Sequence, residues 1–130
     1  MTNIRNIARA AFPVAALIAL PLGIDSGIAS AAAPAATRVT IDRAGSDLFG
    51  TVSSSRPSCE GNRKVVLFKQ RGTRGGGDDV RVASDTSEVQ SGVGVWSTGN
   101  TGLAGKFYAK VTKTALCNAD FSPTITVPED

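Results

Sequence analysis

The chain has 130 residues, with 14 lysines and arginines against 11 aspartates and glutamates, a formal net charge of +3, and no histidine. That length leaves room for one domain and excludes most large enzyme architectures. So mild an excess of bases does not predict a nucleic-acid partner, and without histidine the Ser-His-Asp and Cys-His catalytic arrangements are excluded, along with the commonest general base and metal ligand.

Arg5 and Arg9 stand in an otherwise uncharged start, an apolar run from Ala10 to Ile24 follows, and Asp25 ends it. A basic stretch, a short apolar stretch and then the small residues Ala29-Ser30-Ala31 make the pattern of a signal peptide over 1–31, with Ala31-Ala32-Ala33 as a competing cleavage site. Pro13 and Pro21 interrupt the apolar run, which falls short of the ~20 residues a spanning helix needs. The expectation is export, cleavage and release as a secreted, extracellular protein with no stable membrane anchor. Residues 32–37 read as linker and 38–130 as the folded domain.

In the domain, apolar residues recur at period two, the period of strands. Val39 and Ile41 alternate with Arg38, Thr40 and Asp42. Leu48 to Ser53 is a second strand in which either Leu48 and Val52 or Phe49 and Thr51 face inward. Arg63 to Lys69 is a continuous apolar run with charged ends, which suits a strand covered on both faces. Val80 and Val82 flank Arg81, and Val89, Val93, Val95 and Trp96 lie in a glycine-broken stretch. Phe107, Ala109 and Val111 alternate with Lys106, Tyr108 and Lys110, and Ile125 and Val127 close the series. Turn-forming clusters separate these runs at 43–46, 53–57, 72–79, 97–102 and 118–123. No helical period is sustained. The pattern predicts an all-β fold, a single antiparallel β-sandwich of about seven strands, with a small closed barrel as the alternative.

Cys59 precedes the strand that begins at Arg63, and Cys117 follows the strand that ends near Thr112. If those strands run antiparallel in one sandwich, both cysteines fall at the same end, and an even pair in an exported chain reads as one disulfide. The segments Arg63 to Phe68, Gly94-Val95-Trp96 and Gly105 to Val111, with a cysteine before the first and after the last, resemble secreted β-sandwich modules of actinobacterial type, which are similar to transthyretin-like or carboxypeptidase-regulatory-like domains. An Ig-like sandwich is the neighbouring description. The resemblance implies a non-catalytic accessory module and carries no active-site residues.

The serines at 53–55 and Ser84 have no activating base and read as turn and strand-end hydrogen bonders. Gly75-Gly76-Gly77-Asp78-Asp79 lacks the ending and the helix of a phosphate loop and the tandem repeat of a calcium roll, so it reads as a flexible hairpin tip with solvated aspartates. No metal and no cofactor is expected. Arg63, Lys64, Lys69, Arg71, Arg74 and Arg81 outnumber Asp78 and Asp79, making a candidate anion-binding edge whose plainer role is to discourage edge pairing. Nucleic acid is not an expected partner, because the chain reads as exported. Tyr108, on the polar side of its strand, is expected to face solvent or a groove, either as an ordinary surface residue or as a candidate ligand contact, and Trp96 either joins it or fills the core. The expected function is a secreted, non-catalytic structural or interaction module, meeting an extracellular protein or a cell-wall polymer. The alternative is a carbohydrate-binding module for an acidic or cell-wall glycan.

Overall fold

A computed structural model describes residues 33–129, so the signal-peptide reading of 1–31 lies outside the described residues. Ten strands follow in order: β1 (Thr37–Val39), β2 (Asp42–Ala44), β3 (Asp47–Ser54), β4 (Lys64–Lys69), β5 (Val80–Thr86), β6 (Glu88–Gln90), β7 (Val93–Asn100), β8 (Gly105–Val111), β9 (Asp120–Phe121) and β10 (Ile125–Val127). They form two antiparallel sheets packed as a sandwich. The first runs β1-β3-β7-β6 with β2 also on β3, and the second runs β10-β8-β4-β5 with β9 also on β8.

The excess over seven strands has a physical cause. β1 pairs with Val52–Ser54 and β2 with Asp47–Phe49, so the two are halves of one edge strand interrupted at Thr40 and Ile41. β10 and β9 divide the outer edge of β8 in the same way, interrupted at 122–124. The stretch that holds Val89 and Trp96 is a hairpin, β6 and β7, turned through Ser91 and Gly92 at φ 53° and 81°. Two successive positive φ values are what a two-residue hairpin turn requires, and glycine supplies the second without strain. The expected turn at 97–102 is shorter than its composition suggested, since β7 continues to Asn100.

Between the sheets lie Val39, Ile41, Leu48, Val52, Val65, Leu67, Trp96, Phe107, Ala109, Val111 and Val127. Leu48 and Val52 are therefore the inward pair of β3, and Phe49 and Thr51 face outward. Val65, Val66 and Leu67 are all buried, as a strand covered on both faces requires. The chain passes from one sheet to the other at Ser87, which is fully buried. Its N–H donates to Arg63 O at 2.8 Å, its carbonyl accepts from Asn62 N at 2.7 Å, and its hydroxyl donates to Glu60 O at 2.6 Å. A buried corner of backbone is stable only when every polar group has a partner, and here each has one.

Cys59, in a single 3-10 turn at Pro57–Cys59, is bonded to Cys117 with a Cα–Cα distance of 5.6 Å. β4 and β8 are antiparallel neighbours, with Val65 opposite Val111, so the start of one and the end of the other do meet. Residues read as linker lie against this end of the domain: Ala35 N donates to Leu116 O and Asn118 N to Ala35 O, both at 2.9 Å.

Candidate functional site

Tyr108 does stand on the outer face of the second sheet, but that face is not open. The β4–β5 connection folds back across it and leaves the residue 1% exposed. Phe68 stacks on the ring with centroids 5.4 Å apart, and Phe121 meets it edge-on at 5.8 Å. The hydroxyl donates to Asp79 Oδ2 at 2.5 Å and accepts from the Gly75 N–H at 3.1 Å. Asp79 also accepts from the N–H groups of Arg71 at 2.9 Å and Gly75 at 3.1 Å. The Tyr108 hydroxyl, and next the Arg71 N–H, hold the Asp79 carboxyl below its usual range. Burial, and next the bond to Asp79, push the phenol up to about 12.

Two expectations are corrected here. Tyr108 presents no ring face to a ligand, and the glycine-rich loop is an anchored cover in which Asp79 is half-buried and hydrogen-bonded, while Asp78 is exposed as expected. Period-two alternation separates inside from outside only where one face of a sheet meets water.

Arg63 is also corrected. It is 2% exposed and serves the fold rather than an anion. Its Nη1 donates to Cys59 O at 2.8 Å and Thr37 Oγ1 at 3.1 Å, and its Nη2 to Thr112 O at 2.7 Å and Asn118 O at 3.0 Å. Its Nε is buried without a partner. Burial lowers its pKa, but a guanidinium remains charged at any ordinary pH. Of the other candidate bases, Lys64, Arg71, Arg74 and Arg81 are exposed and Lys69 is half-buried. Arg74 Nη1 is engaged with Ser122 O at 2.6 Å. Lys64 and Lys69 stand at opposite ends of β4, and Arg71 and Arg74 lie in the covering loop, so the six do not converge on one point.

Trp96 is in the core, 2% exposed, as its plainer reading held. Its indole N–H needs an acceptor in that setting and donates to Thr40 O at 3.0 Å. Gly50, opposite Trp96 in the register, makes this possible: a Cβ there would collide with the Thr40 carbonyl and with the indole nitrogen. The interruption of the first edge strand at Thr40 thus turns a carbonyl down onto the tryptophan. Thr40 is held by its N–H to Thr51 O and by the Thr51 N–H to its Oγ1, both at 2.9 Å.

Above this point, on the outer face of the first sheet, lies a groove of about 580 Å³ that sequence reasoning did not single out. Its floor carries the outward residues of β3 and β7, Phe49, Thr51, Val95 and Ser97, and Gly50 and Trp96 also line it. Asp42 and Thr40 line one side, and Glu88, Gln90, Asp85 and Thr86 line the other. Phe49 is 38% exposed. Ser97 N donates to Asp85 Oδ2 at 2.8 Å, which fixes that carboxylate as β5 leaves its own sheet. The volume is that of a small-ligand or side-chain pocket. The one signal in the sequence was the outward alternation of Phe49 and Thr51. Bringing Asp42, Asp85 and Glu88 around them depends on the sheet order, which periodicity does not contain.

Among the described residues no group of three or more histidine, cysteine, aspartate or glutamate side chains is placed to hold a metal ion, and no helix is long and apolar enough to cross a membrane. What the structure defines is a class, an all-β antiparallel two-sheet domain with one disulfide. No family model, no curated protein and no solved structure matches the chain.

Proposed function

We propose that the protein is a secreted, non-catalytic interaction module that engages its partner through the groove on the first sheet. The observation that carries this reading is the groove itself: exposed apolar surface at Phe49 with the half-buried Val95 beside it, bordered by hydroxyls, an amide and carboxylates on a sheet. Binding groups on strands are held more precisely than groups on loops. A non-catalytic role is supported by the absence of histidine from the chain. Secretion is supported by the 1–31 pattern and by a disulfide, which persists in oxidising compartments. The two-sheet architecture and the disulfide are what supports assignment to transthyretin-like or carboxypeptidase-regulatory-like modules.

A glycan-binding role is the second reading, favoured by the half-exposed Phe49 ring among Thr51, Ser97 and Gln90. Tyr108 no longer contributes to it, and three carboxylates around the groove oppose an acidic polymer.

The test is affinity capture from culture supernatant and cell envelope with the cleaved protein as bait, beside a Phe49→Ala bait. The expected result is a partner retained by the first and lost by the second. Equal retention by both, or recovery of uncleaved protein inside the cell only, would remove the proposal.

A further inference from the structure

We infer that the groove on the first sheet accepts an extended basic polypeptide segment, with two lysines or arginines separated by a short apolar stretch. This rests on the groove being the binding site and adds the chemistry of its occupant. A chain of formal net charge +3 surrounds this space with Asp42, Asp85 and Glu88 and with no lysine or arginine. Like charges gathered around a partly apolar floor raise the local potential and favour a counter-charged ligand.

The placement of the carboxylates selects length as well as sign. Asp42 is on β2 and Glu88 on β6, with β3 and β7 between them, and Asp42 aligns with Phe49 and Ser97 while Glu88 aligns with Val95. Three inter-strand spacings and a two-residue offset put the two roughly 15 Å apart. That is too far for one small cation to meet both, and it equals about four residues of extended chain.

An arginine entering beside Asp42 would meet the exposed face of Phe49 as well, where a guanidinium stacks favourably. A second cation would sit between Glu88 and the Asp85 carboxylate, already oriented by the Ser97 N–H. Between them, Val95 offers apolar contact, and Thr51 and Gln90 offer hydrogen bonds to the backbone of the incoming chain. An anionic polymer is repelled by the same groups, and a neutral sugar gains nothing from three charges.

The experiment titrates the cleaved, disulfide-bonded protein at low salt with a synthetic extended peptide whose arginines stand four positions apart, following the fluorescence of Trp96, the only tryptophan in the chain. Saturable quenching is expected, weakening with added salt and becoming roughly tenfold weaker in the Asp42→Asn, Glu88→Gln double variant. Circular dichroism verifies that this surface variant keeps its sheet. Undiminished binding to the double variant overturns the inference. So does spermine binding as tightly as the peptide, since the backbone would then contribute nothing. A neutral oligosaccharide that quenches Trp96 and is lost in Phe49→Ala, with no response to the peptide, overturns the basic occupant and leaves the groove as the site. No response to any probe, together with capture indifferent to Phe49→Ala, removes both.

Discussion

The Tyr108 hydroxyl and the Asp79 carboxylate are 2.5 Å apart, joining the middle of a central strand to the last residue before β5. This bond fastens the β4–β5 connection across the outer face of the second sheet; it is the main cause that lowers the Asp79 pKa, and it adds to the burial that raises that of Tyr108. Tyr108→Phe keeps the ring between Phe68 and Phe121 but releases the loop. The variant is expected to fold, to lose a small part of its stability, and to exchange the Arg71 and Gly75 amides faster. Hydrogen exchange measures this, and unchanged protection at both amides would show that the loop is held by something else.

The same bond sets a pH profile. The Asp79 pKa is depressed in the folded state, so its contribution is present above the ordinary aspartate range and disappears as pH falls through the lowered value. The Tyr108 pKa is raised to about 12, so the folded state keeps a proton that the unfolded chain releases near 10. Stability therefore falls as pH rises from about 10 to 12. Urea midpoints measured across this alkaline range should decline in the wild type and decline less in Tyr108→Phe.

Reduction of Cys59–Cys117 releases a constraint between residues 58 apart in sequence. The loop-entropy estimate assigns about 4 kcal/mol to a closure of that size, a large part of the stability of a small domain. The thermal midpoint should drop by many degrees in reductant. A Cys59→Ser, Cys117→Ser variant should melt where the reduced wild type melts.

Arg63→Ala would leave carbonyls of Cys59, Thr112 and Asn118 without their donor and a cavity at the disulfide end of the domain. A loss of about 3 kcal/mol or more is expected, read by urea unfolding with the disulfide intact. Arg63→Lys should recover only part of this, because one ammonium cannot reproduce a planar fork with acceptors on both arms.

Gly50→Ala forces a methyl group against the Thr40 carbonyl and the Trp96 indole. A loss of about 1–3 kcal/mol is expected, with a shift in Trp96 emission as its hydrogen bond to Thr40 breaks. Gly77→Ala, where nothing lies within 4 Å of the added carbon, should leave both readouts unchanged.

Most of the fold was legible in the sequence because strands announce themselves by alternation. The run at 64–69, the inward series Phe107, Ala109 and Val111, and the pairing of the two cysteines all follow from local pattern and chain direction. What local pattern lacks is any account of what covers an outer face. Tyr108 reads as exposed because its neighbours Lys106 and Lys110 are polar, yet a connection thirty residues away in sequence closes over it. Arg63 reads as a surface base because it begins a strand with a lysine beside it. Only the meeting of Thr37, Cys59, Thr112 and Asn118 makes it an interior residue. The groove escaped for the same reason, since Asp42, Asp85 and Glu88 come together through the order of strands in two sheets.

The interruptions in the sheets bear on how copies of the molecule treat one another. β1 and β2, like β9 and β10, offer no more than three consecutive residues before the line of backbone groups breaks, and β6 is three residues long. β5, the longest of the outer strands, skips a residue at Val82 where Leu67 faces Ala83 and Phe68 faces Arg81. A foreign strand laid along any of the four margins meets at most four consecutive residues, those of Ala83–Thr86 on β5, before the regular pairing breaks. Such margins give a fibril no template to extend, so concentrated solutions of the folded domain should stay free of amyloid for as long as the sulfur bridge keeps it closed.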